Sequence, residues 1–247
     1  MTIFLANTYG SLSCCYNREC VEVEVDRAIR ASAQRAAVEA ASCGLVKKEL
    51  KFYFAYTSPV SYLAKDPAYA LERSHDVSLR FIPYGVDIRR VYGDLATRGE
   101  RDRRKLRYLY HDARRMARER GVVIYPPKKI FSARRAFYGG FSAEDQGLLR
   151  PYSDRVYQRF WKHELEVENP DALAAILEEV GADTSTFRRW IEDEESEAKP
   201  RLKRCFAEAA ADHVFGVPTF VVDGEMFWGY DRMGWLIKKL DAMGLRR

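Results

Sequence analysis

The chain lacks a C-x-x-C pair anywhere in its 247 residues, although it contains five cysteines, Cys14, Cys15, Cys20, Cys43 and Cys205. An odd count without paired spacing excludes the disulfide framework of a small secreted domain, so reduced thiols are expected. Long apolar runs are also missing. None approaches the roughly 20 residues of a membrane-spanning helix, and the opening MTIFLANTYGSLS has no charged n-region of a signal peptide. A soluble, cytoplasmic protein is expected. His75, His111, His163 and His213 show no ligand spacing, and Cys14-Cys15 followed by Cys20 and a distant Cys43 matches no zinc pattern. No metal is assigned. The net charge of +5 is modest, with no zinc-finger spacing and no RNP-like aromatic run, which argues against nucleic acid and suits a small anionic ligand.

An apolar content of 47% over this length supports a full core in one domain, or one domain carrying an insertion. Residues 1–48 stand apart. From Val25 to Ser42 they are rich in Ala, Arg and Glu with little apolar stripe, and are expected to form a poorly packed N-terminal extension. The first strong signal is Leu50 to Tyr56, apolar at consecutive positions as in a central strand covered on both faces. Thr57 or Ser58 can then cap a helix with Pro59 in its first position, and Pro67 is expected to break or kink that helix. A second strand, Val77 to Tyr84, completes a βαβ unit whose right-handed crossover puts Ser58 at the carboxyl edge of the sheet.

From about Asp87 to Asp212 the pattern is helical. Leu106, Leu109, Tyr110, Ala113 and Ala117 form one stripe ended by Gly121, and further helices are expected over 143–163, 170–180, 184–193 and 196–211. The β pattern returns as TFVVDGEMFWG, with Asp223-Gly224 as a hairpin turn, and Asp231 opens a last helix. The fold class is therefore α/β, with residues 49–86 and 212–247 as the βαβ and ββα parts around an inserted helical subdomain, 87–211.

Three segments carry candidate chemistry. Ser58-Pro59-Val60-Ser61 has the spacing of a redox C-x-x-C with serine at both sulfur positions; a hydroxyl at a helix N-terminus can donate to an anion such as a thiolate. Val217-Pro218 at a strand entry can be a cis peptide whose Val217 backbone groups pair with an extended ligand. Trp228-Gly229-Tyr230-Asp231 at the last helix start can hold an ammonium and a carboxylate. Taken singly, these read as a helix cap, a turn proline and a capped surface helix. Together they point to one ligand site.

The strings FYFAYTSPVSYLA and VFGVPTFVVDGEMFWGYDRM resemble the 2-hydroxychromene-2-carboxylate isomerase and kappa-class glutathione transferase group, within the DsbA-like thioredoxin superfamily. The resemblance covers roughly residues 49 to 243. It implies a thioredoxin-like fold, frequent homodimers, and a glutathione site made by Ser58, Val217, Pro218, Trp228, Gly229, Tyr230 and Asp231. Ser58 would stabilise the glutathione thiolate, which in such isomerases adds to a conjugated double bond and is then eliminated. In the kappa-type transferases it attacks an electrophile and stays attached. The chain departs from the family at Ala55, where an acidic residue is common, and at Tyr230, where asparagine is common; around Val91 to Asp94 it has no match to the family's lysine and Asn-Pro. For an acidic aromatic substrate the candidates are Tyr92, Lys128, Lys129, Arg134 and Arg135, the arginines being suited to gripping a carboxylate. The expected function is a glutathione-dependent isomerase acting on a small aromatic or conjugated acid, with a kappa-like transferase or a non-catalytic thioredoxin-like domain as alternatives.

Overall fold

A computed structural model describes residues 47–85, 99–193 and 196–247. The extension expected over 1–48, apart from its last two residues, and Tyr92 lie outside the described residues. Residues Lys47–Arg247 form one compact unit.

The central sheet has four strands in the order β2-β1-β3-β4. Strand β1 (Lys48–Phe54) runs parallel to β2 (Val77–Pro83) and antiparallel to β3 (Thr219–Val222), which pairs antiparallel with β4 (Glu225–Trp228). Alternation along the strands sends side chains to two covered faces. One face stacks Phe52 on Phe220, ring centroids 4.8 Å apart, with Phe81 edge-on to both Phe52 and Phe54. The other carries Tyr53, Ile82 and Val221 against Ala209 and Val214. The continuous apolar run over β1 follows from this double burial. The turn between β3 and β4 uses Asp223 and Gly224 at φ 53° and 76°, the left-handed pair of a two-residue hairpin.

Helix α1 (Pro59–Ser74) connects β1 to β2. Of the break or kink expected at Pro67, the break does not occur: the helix runs on from Pro59 to Ser74. Proline lacks the N–H that would bond to the carbonyl of Leu63, and Arg120 Nη1 donates to that carbonyl instead, at 2.6 Å.

Between β2 and β3 the described residues form six helices: α2 (Glu100–Glu119), α3 (Arg134–Asp145), α4 (Leu149–Trp161), α5 (Pro170–Glu179), α6 (Ser185–Glu192) and α7 (Ala198–Ala211). The helix expected over 143–163 is instead the end of α3 and the whole of α4, divided at Gly147, φ 73°. The stripe expected on α2 is buried at Ala113 and Ala117, whereas Leu109 is exposed. Asp231 falls in a short 3-10 turn, Tyr230–Arg232, and α8 (Met233–Ala242) follows.

Candidate functional site

The β1–α1 turn is fixed from several sides. Ser58 donates its N–H to the Ala55 carbonyl at 3.1 Å, and the same carbonyl accepts from Tyr157 Oη at 3.2 Å. Trp161 Nε1 donates to the Tyr56 carbonyl at 3.1 Å. Tyr157 and Trp161 are fully buried on α4, so the helical region braces the turn from behind. Burial, with nearby Tyr56, holds the Tyr157 phenol well above its ordinary pKa, so it remains a donor.

Ser58 Oγ caps α1 by accepting the Ser61 N–H at 3.2 Å. Among the described residues no acceptor takes its hydroxyl hydrogen, which is left to donate. The cap role and an anion-binding role are therefore compatible: the oxygen accepts from the helix while the O–H and the helix dipole favour negative charge in front of it. The first turn of α1 has no acidic residue to compete. Ser61 is fully buried and accepts from the Ala55 N–H at 3.5 Å, so it serves the turn rather than the cleft.

The opposing wall is the hairpin entry. Val217-Pro218 is a cis peptide. Gly229 donates its N–H to the Pro218 carbonyl at 2.8 Å, and Thr219 Oγ1 donates to the Gly216 carbonyl at 2.7 Å. Two glycines are required here. A Cβ at Gly216 would lie 2.7 Å from Trp228 Nε1, and Gly229, at φ 102°, would bring one within 2.5 Å of Asp231 Oδ1. Trp228 packs edge-on to Phe215, and both remain more than half exposed.

These walls enclose a cleft of about 1050 Å³ lined by Ser58, Val217, Pro218, Trp228, Gly229 and Asp231. The helical region closes it with Leu109, Phe131, Arg134, Phe137, Leu202 and Phe206, a mostly apolar side that also carries the Arg134 guanidinium and the Glu168 carboxylate. Arg134 has no ion-pair partner among the described residues. Arg135 lies off the cleft lining and donates to the Glu168 carbonyl at 2.5 Å. Lys129 is bound to Glu168 at 2.7 Å; burial raises the Glu168 carboxyl, but the Lys129 and Ser132 hydrogen bonds hold it below its usual value. Tyr230 also lies off the lining, with Arg120 stacked 4.5 Å from its ring centroid and hydrogen-bonded to its hydroxyl. Leu109, Phe137 and Phe206 escaped the sequence reading, because an apolar residue facing a cleft has the same helical spacing as one facing a core. Among the described residues no His, Cys, Asp and Glu group could hold a metal, and no helix is long and apolar enough to cross a membrane.

A parallel β1–α1–β2 unit, an antiparallel hairpin entered through cis-proline, and a helix N-terminus facing that proline define the thioredoxin-like class of α/β proteins. Residues 49–241 match the DSBA-like thioredoxin domain, and the chain belongs to that family. It is 28% identical over 185 residues to 2-hydroxychromene-2-carboxylate isomerase of Pseudomonas putida, covering 74% of this chain and 89% of that protein. The isomerase of the same name from Sphingobium xenophagum is 26% identical over 192 residues, covering 76% and 96%. A solved structure of 2-hydroxychromene-2-carboxylate isomerase superposes with a TM-score of 0.63 at 28% identity, covering 79% of this chain and 95% of that one. A probable DsbA oxidoreductase of Streptomyces coelicolor shares the fold, with a TM-score of 0.64 at 16% identity over 81% and 92% of the chains.

Proposed function

We propose that this protein is a glutathione-dependent isomerase, of the kind for which its relatives are named, acting on a small aromatic or conjugated acid. The observation that carries the reading is Ser58: its Oγ is engaged by the Ser61 N–H, its hydroxyl hydrogen is left over, and it lines the cleft opposite cis Pro218. A tripeptide thiol fits the groups present. Val217 offers backbone at the hairpin entry, and Asp231, exposed on the cleft wall, supplies a carboxylate for an ammonium. When bound, glutathione would supply a thiolate that adds to a conjugated double bond and is expelled again, with no net redox change. Ser58 and the α1 N-terminus would favour the charged sulfur, Arg134 would orient a substrate carboxylate, and Phe137 and Phe206 would pack a planar body. Serine at positions 58 and 61 excludes a disulfide there, which separates this reading from a disulfide oxidoreductase. The reading also calls for a compartment where glutathione keeps thiols reduced, the cytoplasm.

Calorimetric titration of reduced glutathione tests it. Saturable binding between micromolar and millimolar, weakened by Ser58→Ala, is expected. Absence of heat with folded wild-type protein would overturn the reading and favour a non-catalytic thioredoxin-like domain.

A further inference from the structure

We infer that Arg120 is a positioning residue of the cleft, clamping the Gly229–Tyr230–Asp231 turn to helix α1. Pro67 lies inside α1. Its missing N–H leaves the carbonyl of the buried Leu63 without a helical partner, and an unmet buried carbonyl is costly. Arg120, the residue that ends α2, fills that role through Nη1 at 2.6 Å. Its other terminal nitrogen, Nη2, donates to Tyr230 Oη, and the guanidinium lies over the Tyr230 ring, 4.5 Å from its centroid. A planar fork can make all these contacts at once, whereas a lysine ammonium cannot.

The turn depends on this contact. Asp231 and Arg232 are exposed, and Tyr230 is the turn residue that packs against the core. The residues on either side of it, Gly229 and Asp231, both line the cleft. Helix α1 presents Ser58 and Pro59 to the same cleft, and α2 presents Leu109. One side chain therefore joins three elements that each contribute to the site. Tyr230 acts from behind the wall, and Arg120 sets where that wall stands.

Backbone amide hydrogen exchange tests the clamp directly, and glutathione binding tests its consequence; only the second rests on the function proposed above. Arg120→Ala is expected to speed exchange at Gly229, Arg232 and Met233 by about tenfold, the scale of one hydrogen bond to a charged group, while β3 stays protected. It is also expected to weaken glutathione binding by about tenfold without moving the pKa of the bound thiol, since Ser58 is untouched. Arg120→Lys should keep the Leu63 bond and restore stability without restoring protection of the turn. Should Arg120→Ala fail to fold, Tyr230→Phe, which keeps the ring and removes the hydroxyl, should loosen the same amides. Unchanged exchange at the turn in the folded variants would overturn the clamp, as would faster exchange spread evenly over the chain. If wild-type protein binds no glutathione, the proposed function fails while the exchange data still decide the role of Arg120.

Discussion

The two walls of the cleft are held by different means. The wall bearing Ser58 and the hairpin is set by backbone hydrogen bonds, by Tyr157 and Trp161 donating to successive turn carbonyls, and by glycines where a Cβ would collide. The wall from α2, α3 and α7 consists of apolar side chains and the guanidinium of Arg134, which has no ion-pair partner among the described residues. The first arrangement fixes atoms to within the tolerance of a hydrogen bond, and the second fixes only shape. A reacting sulfur needs the first kind of wall, while a substrate wall can change its side chains without disturbing the chemistry.

Stability is most exposed behind the cleft, where α3 packs on α4. A Cβ at Gly139 would lie 2.2 Å from Oη of the fully buried Tyr152, which donates to the Ala136 carbonyl at 3.1 Å. Gly139→Ala should cost about 3 kcal/mol of stability in denaturant unfolding, at the upper end for overpacking. The open wall should fail in binding instead. Arg134→Ala is expected to raise KM for a conjugated carboxylate about tenfold and to leave a neutral ester unaffected, while Arg135→Ala does little in either assay. Equal losses from the two arginines would break the distinction. A smaller effect belongs to Tyr157→Phe, which removes the brace on the Ala55 carbonyl and should cost about 1 kcal/mol, with weaker glutathione binding.

The smallest expected effect lies on the sheet face away from the aromatic cluster. Lys51 pairs with Asp212 at 2.7 Å and Glu208 at 3.0 Å, Tyr53 donates to Asp212 at 2.5 Å, and Arg80 grips Glu208. Burial pushes both carboxyls up, but hydrogen bonds from Lys51 and Tyr53 to Asp212, and from Arg80 and Lys51 to Glu208, hold both below their usual values. Lowered folded-state pKa values give stability that is present above the ordinary carboxylate range, near pH ~4, and lost as pH falls through the lowered values. Thermal melts should therefore show a loss below pH ~4 that Asp212→Asn flattens.

The braced wall was also the legible one. Consecutive apolar runs, Asp-Gly at a hairpin and serine-proline at a helix start are local signals, and they placed β1, β3 and β4 and offered Ser58 as the cap of α1. Helix α3 was not legible, because Gly139-Gly140 reads as a breaker when each glycine in fact admits a neighbouring ring. Arg134 and Arg135 could not be separated for a related reason. Successive helix residues point about 100° apart, so which one meets the cleft depends on packing that no local pattern encodes. The donor that meets the Leu63 carbonyl freed by Pro67 is Arg120, 57 residues further along the chain.

If the cleft activates glutathione, Ser58 lowers the pKa of the bound thiol. Thiolate absorbance of glutathione should be followed over pH with saturating wild-type protein and with Ser58→Ala. A wild-type pKa at least one unit below the free-thiol value of about 8.5, returning toward it in Ser58→Ala, is the predicted result. An unshifted pKa for glutathione bound to the wild type, or the same lowered value in both proteins, would contradict the claim.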